Sequence, residues 1–121
     1  MTTFEIGKKL VELCNAGKND VAIKELYAQD IVSLEAFPGP DRETKGLDKV
    51  LAKSAAWAEA HQIHSAKTEG PFPLDDRFAV TFRYDITRKA DNKRLDMHEV
   101  AVFTVKGDKI VREEFFYPTG P

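Results

Sequence analysis

The sequence has 121 residues, of which 42% are apolar and 31% are charged. This balance excludes a disordered chain, and no run approaches the roughly 18 consecutive apolar residues that a membrane-spanning helix needs. Lys and Arg number 18 against 20 Asp and Glu, so the basic excess typical of nucleic-acid binders is absent. Residues 1–10 lack a signal-peptide pattern, and we expect a cytoplasmic protein with neither a nucleic-acid nor a membrane partner.

The first half of the sequence predicts helices. Thr2 and Glu5 form a capping-box pattern at the start of an apolar stripe with helical spacing. Asn19 or Asp20 is expected to cap a second, short helix. A third helix should begin near Leu47, which opens the most regular helical stripe in the chain.

The second half predicts a sheet. Residues 78–87, 95–105 and 109–117 alternate with a period of two and describe long strands with one apolar face. Residues 31–37 and 62–69 predict shorter strands. Short turns between consecutive strands make antiparallel neighbours, so the pattern predicts an α+β fold with the helices gathered on one side of the sheet.

Glu35 is the first candidate catalytic residue. It lies in an apolar run beside Leu34, Ala36 and Phe37. A carboxyl group in such a setting is costly unless it is paired or partly protonated, and it is suited to proton transfer near neutral pH. We therefore predict a general base at this position. The alternative is a glutamate at the end of a strand that points into solvent.

Glu99 is the second candidate. Strand alternation places it on one face of the sheet with Met97, Ala101 and Phe103, and places His98 on the opposite face. A carboxyl group among apolar side chains could act as an acid or as a hydrogen-bond anchor. An ion pair with a neighbouring basic residue is the simpler alternative.

The last hairpin has two registers that the residues themselves leave open. A strict two-residue turn places Glu114 on the face that carries Glu99. A one-residue bulge instead places Glu113, Phe115 and Tyr117 on that face, because a slip by one residue exchanges the two faces of a strand.

Aromatic residues recur in every predicted layer, as in the lining of an apolar pocket for a small molecule. The Trp57 indole needs a hydrogen-bond partner when it is buried, and Tyr84 could donate its hydroxyl proton to a carbonyl group. The alternative is that these rings only fill the core. The predicted ligand-binding residues, with Glu113, are Phe37, Trp57, Phe82, Tyr84, Phe103, Phe115 and Tyr117.

The remaining reactive side chains do not predict a metal or cofactor site. His61 and His64 lack carboxylates at a useful spacing, and Cys14 is the only cysteine. Lys53 could pair with a glutamate in the pocket, but we expect its ammonium group to extend into solvent.

Three segments together resemble the nuclear transport factor 2-like, or SnoaL-like, superfamily: 26–32, the helix after Gly46, and 99–117. The resemblance covers essentially the whole chain and implies a single domain over 1–121. In that superfamily three N-terminal helices pack in the concave face of a curved, mainly antiparallel sheet, a cystatin-like α+β cone. The resemblance also implies a mostly apolar cavity, the bulged form of the last hairpin, and a homodimer through the outer face of the sheet.

Alignment with the ketosteroid isomerases of that superfamily places Glu35 at their general-base aspartate. The tyrosine and the protonated aspartate of their oxyanion hole correspond to Leu10 and Ala101, so steroid isomerisation is not expected. Glu99 could partly replace the missing acid. The resemblance is therefore more specific for the fold than for an activity.

Three functions remain open at this point. The first is an isomerase, cyclase or dehydratase that acts without a cofactor on a small hydrophobic or carbonyl-bearing molecule, with Glu35 and Glu99 as catalytic residues. The second is a module that binds such a molecule without chemistry. The third is a structural dimer whose cavity is filled by its own side chains.

Overall fold

A computed structural model describes residues 1–119 and shows three helices and one six-stranded sheet. The helices are α1 (Thr3–Asn15), α2 (Asn19–Leu26) and α3 (Leu47–Ala60). The strands are β1 (Tyr27–Leu34), β2 (Glu43–Lys45), β3 (His61–Leu74), β4 (Arg77–Arg88), β5 (Lys93–Lys106) and β6 (Lys109–Phe116). The predicted α+β class is confirmed.

The strand order in the sheet is β2-β1-β6-β5-β4-β3. β1 and β6 pair in parallel, and every other neighbouring pair is antiparallel. The parallel pair brings the end of β1 beside the end of the last strand, although about 80 residues separate them in sequence. This pairing places the candidate residues of the two ends next to each other.

The hydrophobic core lies between the sheet and the helices. α1 contacts β3 and β4, α3 contacts β1 and β3, and α2 contacts both of the other helices. The inner face of β4 supplies Phe78, Val80 and Phe82 to this core, as the alternation predicts. The capping box at the start of α1 is also confirmed, since the amide of Glu5 donates to Oγ1 of Thr2 at 3.1 Å. None of the three helices combines the length and the apolar character that crossing a bilayer demands.

Two predicted strand boundaries are wrong. β1 begins at Tyr27 and ends at Leu34, so Glu35 is the first residue after the strand rather than part of it. β3 extends to Leu74 through Gly70 and Pro71, where the prediction ended at residue 69. Proline is tolerated there because β3 is an edge strand and the register shifts between Glu69 and Phe72.

The free edge of β3 is covered by a side chain from α1. The side-chain amide of Asn15 donates to the carbonyl oxygen of Thr68 at 2.9 Å and accepts a hydrogen bond from the amide of Thr68 at 2.9 Å. These two bonds replace those that a further strand would make, and they fasten the end of α1 to the sheet.

The last hairpin has the bulged register. Val105 pairs with Ile110, but Thr104 pairs with Arg112, so one residue of β6 is left over between the two pairs. Glu113 then lies opposite Phe103 on the inner face of the sheet.

Candidate active site

A continuous chain of polar side chains crosses the concave side of the sheet between α3, the end of β1 and β6. Lys53 of α3 donates to Oγ of Ser33 at 2.7 Å and to Oε1 of Glu35 at 2.9 Å. The hydroxyl of Tyr117 donates to Oε2 of the same glutamate at 2.7 Å. Both carboxylate oxygens of Glu35 are therefore occupied, one of them by a charged donor.

The buried end of this chain is formed by Glu113 and Tyr27. The Tyr27 hydroxyl donates to Oε1 of Glu113, and the Ser33 hydroxyl also bonds this carboxyl. Burial raises the pKa of Glu113, and the two hydrogen bonds oppose that shift. Burial also raises the pKa of Tyr27 well above its usual value. We call the whole set the polar chain; it consists of Tyr117, Glu35, Lys53, Ser33, Glu113 and Tyr27.

Glu99 lies on the inner face of β5, opposite Phe82 of β4. Burial raises its pKa to about 7, the negative charges of Glu35 and Glu113 add to the rise, and Lys53 opposes it. A carboxyl with this pKa holds and releases a proton at nearly equal cost at neutral pH.

No hydrogen bond or ion pair to the Glu99 carboxyl is found within residues 1–119. In the same residues, no side-chain nitrogen or oxygen atom is both buried and without a partner. Glu99 itself is half-buried, so part of its side chain is in contact with solvent. Glu35 and Glu113 are bonded by neighbouring side chains, whereas the described part of the chain supplies no such bond to Glu99.

Half-buried aromatic rings flank this region. Trp57 stacks on His61 with ring centroids 4.6 Å apart and lies 5.3 Å from the ring of Tyr84. Nδ1 of His61 lies 2.7 Å from the carbonyl oxygen of Trp57, which fixes the pair. The Lys53 ammonium lies 5.7 Å from the centroid of Phe115. Apolar rings around a half-buried carboxyl are the kind of lining that binds small organic molecules.

The structure does not group all the predicted aromatic residues with these rings. Phe103 is 1% exposed and stacks on Phe78, so it fills the core. Phe82 is also buried, and its ring stacks on Tyr84 from the core side. Phe37 lies in the segment after β1 and is 37% exposed. These three positions were predicted from alternation or composition alone, which does not separate a core ring from an accessible one.

Two residues of the polar chain were not predicted from the sequence, and the role of a third was underestimated. The expectation that Lys53 extends into solvent is wrong, because Glu35 and Ser33 offer it acceptors across the helix–sheet contact. Ser33 and Tyr27 were not singled out. A signal existed in the alternation of β1, which places Ser33 on the same face as buried Ile31.

Two depressions on the described surface lie away from the polar chain. One of about 710 Å³ is lined by the start of α1 and by the β3–β4 and β5–β6 turns. The other, of about 470 Å³, lies on the outer face beside Arg83 and Arg94. Within residues 1–119, no three His, Cys, Asp or Glu side chains are placed to hold a metal ion.

Comparison with known proteins agrees with this architecture. The sequence model of the SnoaL-like domain matches residues 1–117. A Mesorhizobium loti protein is 41% identical to this chain, with a TM-score of 0.93. The match covers 97% of this chain and 100% of that one. That protein is provisionally described as a SnoaL-like polyketide cyclase and as a carbohydrate phosphatase. Comparison with curated proteins returns no match.

More distant structures share the fold. An NTF2-like protein from Burkholderia thailandensis is 19% identical with a TM-score of 0.84, over 98% of this chain and 92% of that one. A Catenulispora acidiphila protein with a ketosteroid isomerase-like fold, in complex with trimethylamine, is 14% identical with a TM-score of 0.74, over 98% and 88% of the two chains. The match of the domain model to nearly the whole chain, on a cone of three helices and one sheet, establishes that the chain belongs to the SnoaL-like domain family.

Proposed function

We propose that the protein binds a small apolar molecule with a carbonyl group on the concave side of the sheet and moves a proton on it without a cofactor, with Glu99 as the catalytic residue. The observation that carries this proposal is the position of Glu99: a half-buried carboxyl group with no partner among residues 1–119, on the inner face of β5, close to the rings of Phe82 and Tyr84.

The proposed step needs only the ionised form of Glu99. The carboxylate takes a proton from the carbon next to the ligand's carbonyl, the electrons of that C–H bond form a C=C bond, and the carbonyl π electrons move to oxygen. In a β,γ-unsaturated ligand, the electrons on oxygen then re-form the carbonyl group while the γ carbon takes the proton back from Glu99, which shifts the C=C bond, completes an isomerisation and restores the carboxylate. A general base of this kind contributes about 10²–10⁴-fold in rate.

The roles of the two predicted catalytic glutamates differ in this proposal. Glu35 accepts hydrogen bonds from Lys53 and Tyr117, so taking a proton from a ligand would require breaking an ion pair. We assign Glu35 to holding Lys53 in place, and Glu99 to proton transfer. Glu113 is 3% exposed and supports the polar chain from inside rather than touching the ligand.

Solvent deuterium exchange tests the proposal directly. A panel of small cyclic ketones and lactones is incubated with the protein in deuterium oxide, and label at the carbon next to the carbonyl is followed by NMR. We expect exchange above the buffer rate with the wild-type protein and a loss of about 10²–10⁴-fold in Glu99→Gln. The exposed surface variant Glu12→Gln is the matched control. Exchange that is equally fast in Glu99→Gln would overturn the proposal.

A binding module without chemistry is the second candidate. It is favoured by the ion pair that occupies Glu35, the residue at the position of the general base in the related isomerases. The same panel separates the two: ligands that shift the NMR signals of Trp57 and Tyr84 but acquire no deuterium would indicate binding alone.

We also propose that the protein forms a homodimer through the outer face of the sheet. Val100 of β5 and Phe116 of β6 pair across the strands on this face and are 42% and 48% exposed. Two neighbouring apolar side chains on an open sheet face are suited to burial against a second copy.

A further inference from the structure

The third ammonium proton of Lys53 has no acceptor among residues 1–119. A lysine side chain carries three N–H donors. Two of them are used by Ser33 and Glu35, at 2.7 and 2.9 Å. The Lys53 side chain is 30% exposed, so the third donor can be reached by a bound molecule.

The ammonium group is held in position by several contacts. Glu35 and Ser33 fix it to the end of β1, the Phe115 ring lies 5.7 Å away, and the carboxylate that anchors it is itself held by Tyr117. A donor fixed before the ligand arrives loses little entropy when it binds a negative oxygen, which is the property that makes such donors effective at developing oxyanions.

We infer that Lys53 is a further ligand-binding residue and that its third N–H donates to the ligand's carbonyl oxygen. The site therefore selects molecules whose oxygen becomes an anion. These are enolisable ketones and, as stable mimics, phenolates. This inference rests on the proposed function. When the C–H bond of the ketone breaks, negative charge develops on its oxygen. The fixed positive charge of Lys53 lies against that oxygen and stabilises it.

The position of Lys53 relative to Glu99 fits these two roles, in which Lys53 binds the ligand oxygen and Glu99 transfers the proton. The charge of Lys53 lowers the pKa of Glu99, so the two groups lie within electrostatic reach of each other. They come from different elements, Lys53 from α3 and Glu99 from β5. A carbonyl group between them would present its oxygen to the ammonium and its neighbouring carbon to the carboxylate.

The test compares an anion with its neutral methyl ether, para-nitrophenolate and para-nitroanisole, by titration with the folded full-length protein. We expect the wild-type protein to bind the anion about tenfold more tightly than the ether, the size of one hydrogen bond to a charged group. Lys53→Met should remove this preference, and Lys53→Arg should keep part of it. Lys49→Met, an exposed lysine of α3, is the matched control and should keep all of it.

A second measurement needs no variant. The side-chain NMR signal of Lys53 in the wild-type protein should shift with para-nitrophenolate and stay in place with para-nitroanisole. An unchanged signal, or a full anion preference in folded Lys53→Met, overturns the inference.

The two proposals fail separately. If Glu99→Gln abolishes ketone exchange while Lys53→Met still prefers the anion, the inference on Lys53 is wrong and the proposed function stands. If no ketone exchanges and the anion preference still depends on Lys53, the proton-transfer function is wrong and the anion-binding role of Lys53 stands.

Discussion

Lys53 and Glu35 are 18 residues apart in sequence, and their side chains meet at 2.9 Å between Nζ and Oε1. The two side chains are 30% and 19% exposed, so the pair is shielded without being fully desolvated. Such a pair does more than stabilise the contact of α3 with β1. It sets the local charge that neighbouring Glu99 experiences, and this link can be measured.

The first prediction concerns that link. Lys53→Met should raise the pKa of Glu99 above about 7, because Lys53 now lowers it. Glu35→Gln should reduce it, because the charge of Glu35 now raises it. A carbon-detected NMR titration of the Glu99 carboxyl measures both. Tyr117→Phe leaves both charges in place and serves as the control. Shifts of the Glu99 pKa in the same direction in Lys53→Met and Glu35→Gln would contradict this account.

The second prediction concerns stability against pH. The pKa of Glu99 lies at about 7 in the folded protein, above the usual 4.5, so between these values the folded state binds more protons than the unfolded state. Glu99 therefore makes the free energy of unfolding fall as the pH rises from about 4.5 to 7. Glu99→Gln should remove this fall and be about 2 kcal/mol more stable than the wild type at pH ~8, with a smaller difference near pH ~5.

Urea denaturation at the two pH values measures this difference. Glu12→Gln, an exposed carboxyl of α1, is the matched control for a change of one charge. Curves for Glu99→Gln and the wild type that stay parallel over this pH range would show that Glu99 is not desolvated in the folded protein.

The third prediction concerns the buried end of the polar chain. Tyr27→Phe keeps the ring but removes one of the two hydroxyl donors to Glu113, and Glu113 is 3% exposed. The loss should cost about 1–3 kcal/mol, because water cannot replace the missing donor. Tyr117→Phe makes the same change beside the more accessible Glu35 and should cost less. Equal losses of unfolding free energy in chemical denaturation would show that the burial of Glu113 does not determine how strongly this hydrogen bond stabilises the fold.

The fourth prediction concerns assembly. Val100→Glu and Phe116→Glu each place a charge in the proposed dimer face and should convert a dimer to a monomer at micromolar concentration in sedimentation velocity. Phe4→Glu is the control, since Phe4 is 50% exposed on α1, which packs against the other side of the sheet. A wild-type protein that sediments as a monomer would contradict the dimer itself.

The sequence alone determined the three helices and the long strands, together with the faces of those strands, but it did not predict the short strand β2. Period-two alternation of Phe78, Val80 and Phe82 put all three in the core, and the same argument put Glu99 on the inner face. These predictions succeed because a strand with one buried face must alternate, whatever it pairs with. The capping box of Thr2 and Glu5 is equally local, since both partners lie within one helical turn.

Only the tertiary structure decided which of these side chains bond to one another. The partners of Lys53 are Ser33 of β1 and Glu35 just after it, and the Tyr27 partner of Glu113 lies at the start of that strand, 86 residues earlier. A long, flexible lysine reaches solvent or a carboxylate equally well from the same helical position, and the choice depends on what the sheet places opposite it. The bulge after Thr104 is a similar case, because one leftover residue exchanges the faces of Glu113 and Glu114 and no local pattern records it.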